Sequence, residues 1–218
     1  MTRSTFYFDL GSPYAYLSAE RIDGDFEDAG LEPPVWRPVL LGGLFKRFGR
    51  GSWALTESRE EGMAEIERRA AEYGLPPLSW PHPWPDSYLL SMRVATAASL
   101  EDRTREFALA AFHQAFVLGR DLANRETLRL AAVDCGLDPD QLMIASGDVN
   151  VKMSLRATTE MAGDRGVTGV PTVAIGEKPF WGDDRLDAAT DFDLRLASDS
   201  PARAAAEAEL RRVDGCDG

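Results

Sequence analysis

Cysteine is nearly absent: the 218 residues hold two, Cys135 and Cys216. They form no Cys-x-x-Cys pair, which excludes a disulfide framework, fits a reducing compartment, and leaves dithiol redox chemistry without a carrier. Histidine is as scarce: His82 and His113 stand in unrelated contexts with no second ligand at metal spacing, so the sequence offers no zinc site. No apolar run reaches the length of a bilayer span, and Met1-Thr2-Arg3-Ser4 leads into a strand instead of an apolar signal core. The expectation is a cytoplasmic protein with no membrane partner. Positive charge is the minority sign, 24 Lys and Arg against 36 Asp and Glu, and the net −12 is spread along the chain. That balance argues against a nucleic-acid partner. There is no Walker loop and no Gly-x-Ser-x-Gly elbow, and Gly163-x-x-Gly166-x-x-Gly169 precedes a strand where a dinucleotide fingerprint would follow one.

What is present begins at the start of the chain. Phe6-Tyr7-Phe8-Asp9-Leu10 reads as a strand, Gly11 breaks it, Ser12 takes an N-cap position and Pro13 the first helical position. Such a junction aims a hydroxyl and several backbone N–H groups at one point, a place to hold an anion. Pro13 to Ala29 has helical spacing and ends at Gly30; Pro33 to Leu40 is extended and returns as a second strand. If the two strands are parallel, Ser12 falls at a strand's carboxyl end, where open α/β sheets bind ligands. Leu41 to Phe48 and Glu57 to Tyr73 are helical, whereas the proline-rich Pro76 to Pro85, with Trp80 and Trp84, predicts a packed, extended connector. Helical signals then run from Asp86 to about Gly163. Gly166 to Gly176 reads as a turn and then a strand, Glu177 to Gly182 as its hairpin return, Asp183-Asp184 start a helix, and Ser200-Pro201 start an alanine-rich tail helix. The pattern is an α/β sandwich interrupted by helices.

Phe8 to Leu17 around Ser12-Pro13, Gly169-Val170-Pro171-Thr172 and Trp181-Gly182-Asp183-Asp184-Arg185-Leu186 together resemble the 2-hydroxychromene-2-carboxylate isomerases and kappa-class glutathione transferases, thioredoxin-fold proteins of the DsbA-like superfamily. The resemblance extends over Leu41 to Lys46 and Trp80 to Arg93. It implies a thioredoxin-like α/β fold (residues 1–45 and 164–218) carrying a large all-helical insertion (46–163). It also implies that Ser12 stands where redox relatives have the first cysteine, and stabilises the thiolate of a bound glutathione; the bland reading of Ser12 is a helix cap. Pro171 is implied to be cis and to face the Ser12-Pro13 turn, with Val170 offering its backbone to the cysteinyl part of the thiol. Asp184 is implied to bind the γ-glutamyl ammonium, with Asp183 beside it.

One stretch departs from the family pattern. Gly49 to Arg59 has no Asn-x-Pro-Pro run and no lysine, so Arg50 or Arg59 is the candidate replacement for the lysine charge, or the ligand is another low-molecular-weight thiol. The implied activity is a glutathione-dependent isomerase of a small aromatic or unsaturated ketoacid, working as a homodimer. The alternatives are a kappa-like transferase and a cysteine-less DsbA-like binding protein.

Overall fold

A computed structural model describes residues 3–198. The expected tail helix from Ser200-Pro201 lies outside the described residues, as does Cys216. Strands β1 (Thr5–Phe8) and β2 (Val35–Pro38) pair in parallel, the condition under which Ser12 falls at a strand's carboxyl end. Strand β3 (Thr172–Ile175) runs antiparallel to β1, and β4 (Lys178–Trp181) antiparallel to β3, giving the mixed sheet order β2-β1-β3-β4. This topology puts the carboxyl ends of β1, β2 and β4 and the amino end of β3 along one edge.

The alternation in β1 sends its side chains to two cores. Phe6 and Phe8 enter the larger one, with Phe6 edge-on to Trp36 at 4.9 Å and Phe8 against Phe112 at 6.1 Å. Tyr7 points the other way, to Val39, Leu44, Ala162 and Val170. Both faces of the sheet are therefore covered, as a short apolar strand without polar alternation demands.

Helices α1 (Pro13–Ala19) and α2 (Ile22–Asp28) replace the single helix expected over Pro13 to Ala29. The break falls at Glu20-Arg21, where the Arg21 Nε donates back to the Leu17 carbonyl at 3.2 Å and Nη2 donates to the Asp183 carbonyl at 2.8 Å. Helix α3 (Leu41–Phe48) agrees with the expectation, and α4 is Arg59–Glu72. The Pro76 to Pro85 connector is free of helix and strand. Its Trp84 is 5% exposed, packed on Trp80 at 4.6 Å and on Trp53 at 5.6 Å.

Helices α5 (Leu89–Ala98), α6 (Thr104–Phe112), α7 (Arg125–Asp134) and α8 (Pro139–Ala145) form the helical part, and Phe107, Phe112 and Leu128 extend the Phe6/Phe8 core into it. A π-helical segment, His113–Val117, continues α6. Helix α9 (Val149–Asp164) covers the Tyr7 face. The helix expected to start at Asp183-Asp184 instead begins as a 3-10 turn, Asp183–Arg185, before α10 (Leu186–Ser198). Among the described residues, no helix is long and apolar enough to cross a membrane. The architecture is thioredoxin-like α/β with a helical insertion.

Candidate active site

The sheet edge where the strand ends meet opens into a cleft of about 1220 Å³. Ser12 lies on its floor as the N-cap of α1, 4% exposed, its Oγ accepting the Ala15 N–H at 3.2 Å. The hydroxyl thus caps the helix and retains its own proton to donate. The first turn is a narrower anion cradle than expected. Pro13 has no N–H and the Ala15 N–H is already capped, which leaves Tyr14 N–H beside the hydroxyl.

The second expected half of the site faces the same cleft. Val170-Pro171 lines it, and the peptide bond between them is cis. Neither the N–H nor the C=O of Val170 has a protein partner among the described residues. The neighbouring groups are committed: Gly182 N–H donates to the Pro171 carbonyl at 3.0 Å, and Thr172 Oγ1 donates to the Gly169 carbonyl at 2.7 Å.

The two adjacent aspartates differ sharply. Asp183 is 2% exposed and both of its oxygens are engaged, Oδ1 by Arg69 Nη1 at 2.8 Å and Oδ2 by the Tyr73 hydroxyl at 3.0 Å. Arg21 spreads over the Tyr73 ring, 3.5 Å from its centre, while holding the Asp183 carbonyl. Asp184 is exposed to the cleft and makes no hydrogen bond or ion pair among the described residues. Its Oδ1 lies where a side chain on Gly182 would begin but, as the free end of an exposed side chain, can swing aside; the φ of +123° at Gly182 is what calls for glycine there.

The two arginines also separate. Arg50 lines the cleft, its guanidinium 4.2 Å from the centre of the Trp181 ring and Nη1 3.4 Å from Thr168 Oγ1. Arg59 is not among the lining residues; its Nη2 donates to the Trp84 carbonyl at 2.8 Å and so braces the aromatic wall. Tyr14, Trp53 and Trp84 supply that wall, and Trp84 Nε1 donates to the Gly11 carbonyl at 3.3 Å.

Besides Trp53, four polar or aromatic lining residues with distinct roles were not read from the sequence. Lys46 stands on the last turn of α3, just ahead of the stretch searched for a lysine. Arg69, on α4, reaches the cleft while pairing with Asp183. Tyr88 packs its ring where a side chain on Gly11 would have to go. Asp9 is 6% exposed, and burial pushes its carboxyl from 3.8 up to about 6, against the opposing pull of hydrogen bonds from Leu41 and Gly11 N–H. At neutral pH the fold therefore carries an ionised, buried carboxylate at a cost of about 3 kcal/mol relative to an ordinary aspartate. An aspartate inside the apolar run Phe6 to Leu10 was the available signal, since aspartate is seldom buried without a reason.

A DSBA-like thioredoxin domain matches residues 5–192. The chain is 30% identical over 190 residues to a 2-hydroxychromene-2-carboxylate isomerase of Sphingobium xenophagum, covering 84% of this chain and 93% of the relative. It is 24% identical to glutathione S-transferase kappa 2 of Caenorhabditis elegans, over 86% of this chain and 89% of that protein. A solved 2-hydroxychromene-2-carboxylate isomerase structure superposes with a TM-score of 0.77 at 24% identity, covering 90% of this chain and 96% of the other. The chain belongs to the DsbA-like thioredoxin family, alongside the 2-hydroxychromene-2-carboxylate isomerases and kappa-class glutathione transferases.

Proposed function

We propose that this protein is a thiol-dependent isomerase acting on a small aromatic or unsaturated ketoacid, with glutathione as the thiol. The observation that carries this reading is the convergence, in one cleft, of a serine hydroxyl with a proton to donate, an unpartnered Val170 backbone, and a free carboxylate at Asp184. These three complement a thiolate, the peptide group beside it and an ammonium, in that order. Arg50, with Lys46 nearby on the same wall, receives a carboxylate end; Pro13 shapes the turn beneath the sulfur. Arg59 acts at one remove, through Trp84.

The chemistry needs little from the protein beyond this. A free thiol of pKa near 8.5 is mostly protonated at neutral pH, and a hydrogen bond donated to the charged form favours the thiolate. Thiolate sulfur adds to the conjugated carbon–carbon double bond, moving its electron pair to an enolate. Rotation follows about what is now a single bond, and expulsion of the thiolate restores the double bond. Thiol is neither oxidised nor consumed. Tyr14, Trp53 and Trp84 bury the apolar part of the substrate. The same reading makes the protein a cytoplasmic homodimer.

A transferase would share every step up to the adduct and differ in releasing it. Counting free thiol during turnover separates the two: an isomerase converts substrate with the glutathione titre unchanged, and stoichiometric loss of thiol would replace this reading with conjugation.

A further inference from the structure

Asp9 is a buried carboxylate lining the cleft that the proposed chemistry does not use and that, unlike Asp183, has no cationic partner among the described residues. Its two oxygens reach in different directions: Oδ1 accepts the Gly11 N–H at 2.9 Å and Oδ2 accepts the Leu41 N–H at 2.8 Å. The first bond holds the turn that presents Ser12. The second holds the first residue of α3, whose Leu41, Gly42, Phe45 and Lys46 form the opposite wall. The turn is fixed from its other side too, because the Tyr88 ring fills the space over Gly11 and the Leu10 N–H meets Met92 Sδ at 3.1 Å. The Gly11 carbonyl is held as well, by Trp84 Nε1, and the Asp9 carboxylate ties this turn to α3.

We infer that Asp9 is a positioning residue: its ionised carboxylate grips the Ser12 turn and the start of α3 together and so sets the width of the cleft between them. Protonation turns one of the two acceptor oxygens into a hydroxyl, a weaker acceptor than a carboxylate oxygen for the N–H it faces, and that grip loosens. The wall on that side is then held less firmly against the turn. Tyr88, whose ring packs on Gly11, lies within electrostatic reach of Asp9; Asp86 and Asp121 lie near the Tyr88 phenol, and Lys46 lies along α3. None of them hydrogen-bonds or ion-pairs with Asp9. Burial pushes the Tyr88 phenol upward, away from the range in which Asp9 changes state.

The clamp stands on the fold alone, whereas its effect on ligand affinity rests on the thiol reading above. The test records amide spectra of the whole protein from acid to neutral pH, with calorimetric titration of reduced glutathione at the same points. The Gly11 and Leu41 amides are expected to shift together with a midpoint of about 6, and glutathione affinity to fall about tenfold on the acid side. Asp9→Asn, which presents an amide N–H to one of the two donors, should fix both at their acid values and abolish the pH dependence. Amides of Gly11 and Leu41 that do not titrate overturn the clamp. Titrating amides with a pH-independent affinity overturn its role in positioning the site. If glutathione fails to bind at every pH, the thiol reading fails, and the amides still decide for or against the clamp.

Discussion

Asp183→Ala is expected to cost about 3 kcal/mol of folding stability, read as a lower urea midpoint with an unchanged slope. The substitution removes the shared acceptor of a buried cluster and leaves both of its donors in place. Arg69 Nη1 and the Tyr73 hydroxyl lose their acceptors, while Arg69 keeps only its pair with Glu65 at 2.7 Å. The residue is 2% exposed, so water does not replace the lost bonds without rearrangement. The exposed pairs set the contrast. Arg156–Glu160 and Arg68–Glu65 are surface i,i+4 and i,i+3 contacts, screened by water, whose removal should leave the urea midpoint nearly where it was. Because the cluster joins α4 to the loop that carries Asp184, Asp183→Ala should also weaken ligand binding with Asp184 itself intact. A loss below about 1 kcal/mol would mean that the cluster is not what fixes that loop.

Ser12→Ala is expected to lower turnover with glutathione by about 10- to 100-fold, the range given by losing a hydrogen bond to a charged group. The same change removes the cap of α1, worth about 1 kcal/mol of stability. The two effects separate experimentally. A capping loss lowers the unfolding midpoint and leaves the bound thiol's titration where it was; loss of the thiolate bond moves that titration upward. Ser12→Ala with full turnover, at a pH where the protein is folded, would reduce Ser12 to a helix cap.

Local signals carried much of the fold. Ser12-Pro13 marks a helix start because a cap and a ring-locked φ act within one turn, and the apolar stretch from Phe6 to Phe8 marks a strand buried on both faces. The α3 helix and the packed Trp80/Trp84 connector followed the same short-range rules, whereas the parallel sense of the β1–β2 pair was open in the sequence. The misses were long-range. Nothing local breaks the helix at Glu20-Arg21; the Arg21 side chain bonds to a carbonyl at Asp183, in the loop after β4. The different roles of Asp183 and Asp184 depend on Arg69 and Tyr73, which only the folded chain brings there. Arg50 and Arg59 look alike in sequence, yet one meets Trp181 at the cleft and the other bonds to the far side of Trp84. Lys46 was hidden by register: the family pattern places its lysine in the loop after α3, and here the lysine lies on the helix.

The central claim is that the Ser12 turn holds a thiol in its charged form. Its most direct test is the pH titration of glutathione thiolate absorbance in the presence of saturating protein, with Ser12→Ala as the reference. The account predicts a bound thiol that ionises at least one pH unit below free glutathione, a difference of about 1.4 kcal/mol between the two protonation states, and predicts that Ser12→Ala removes most of that shift. A bound thiol that ionises at the solution value in both proteins would contradict it.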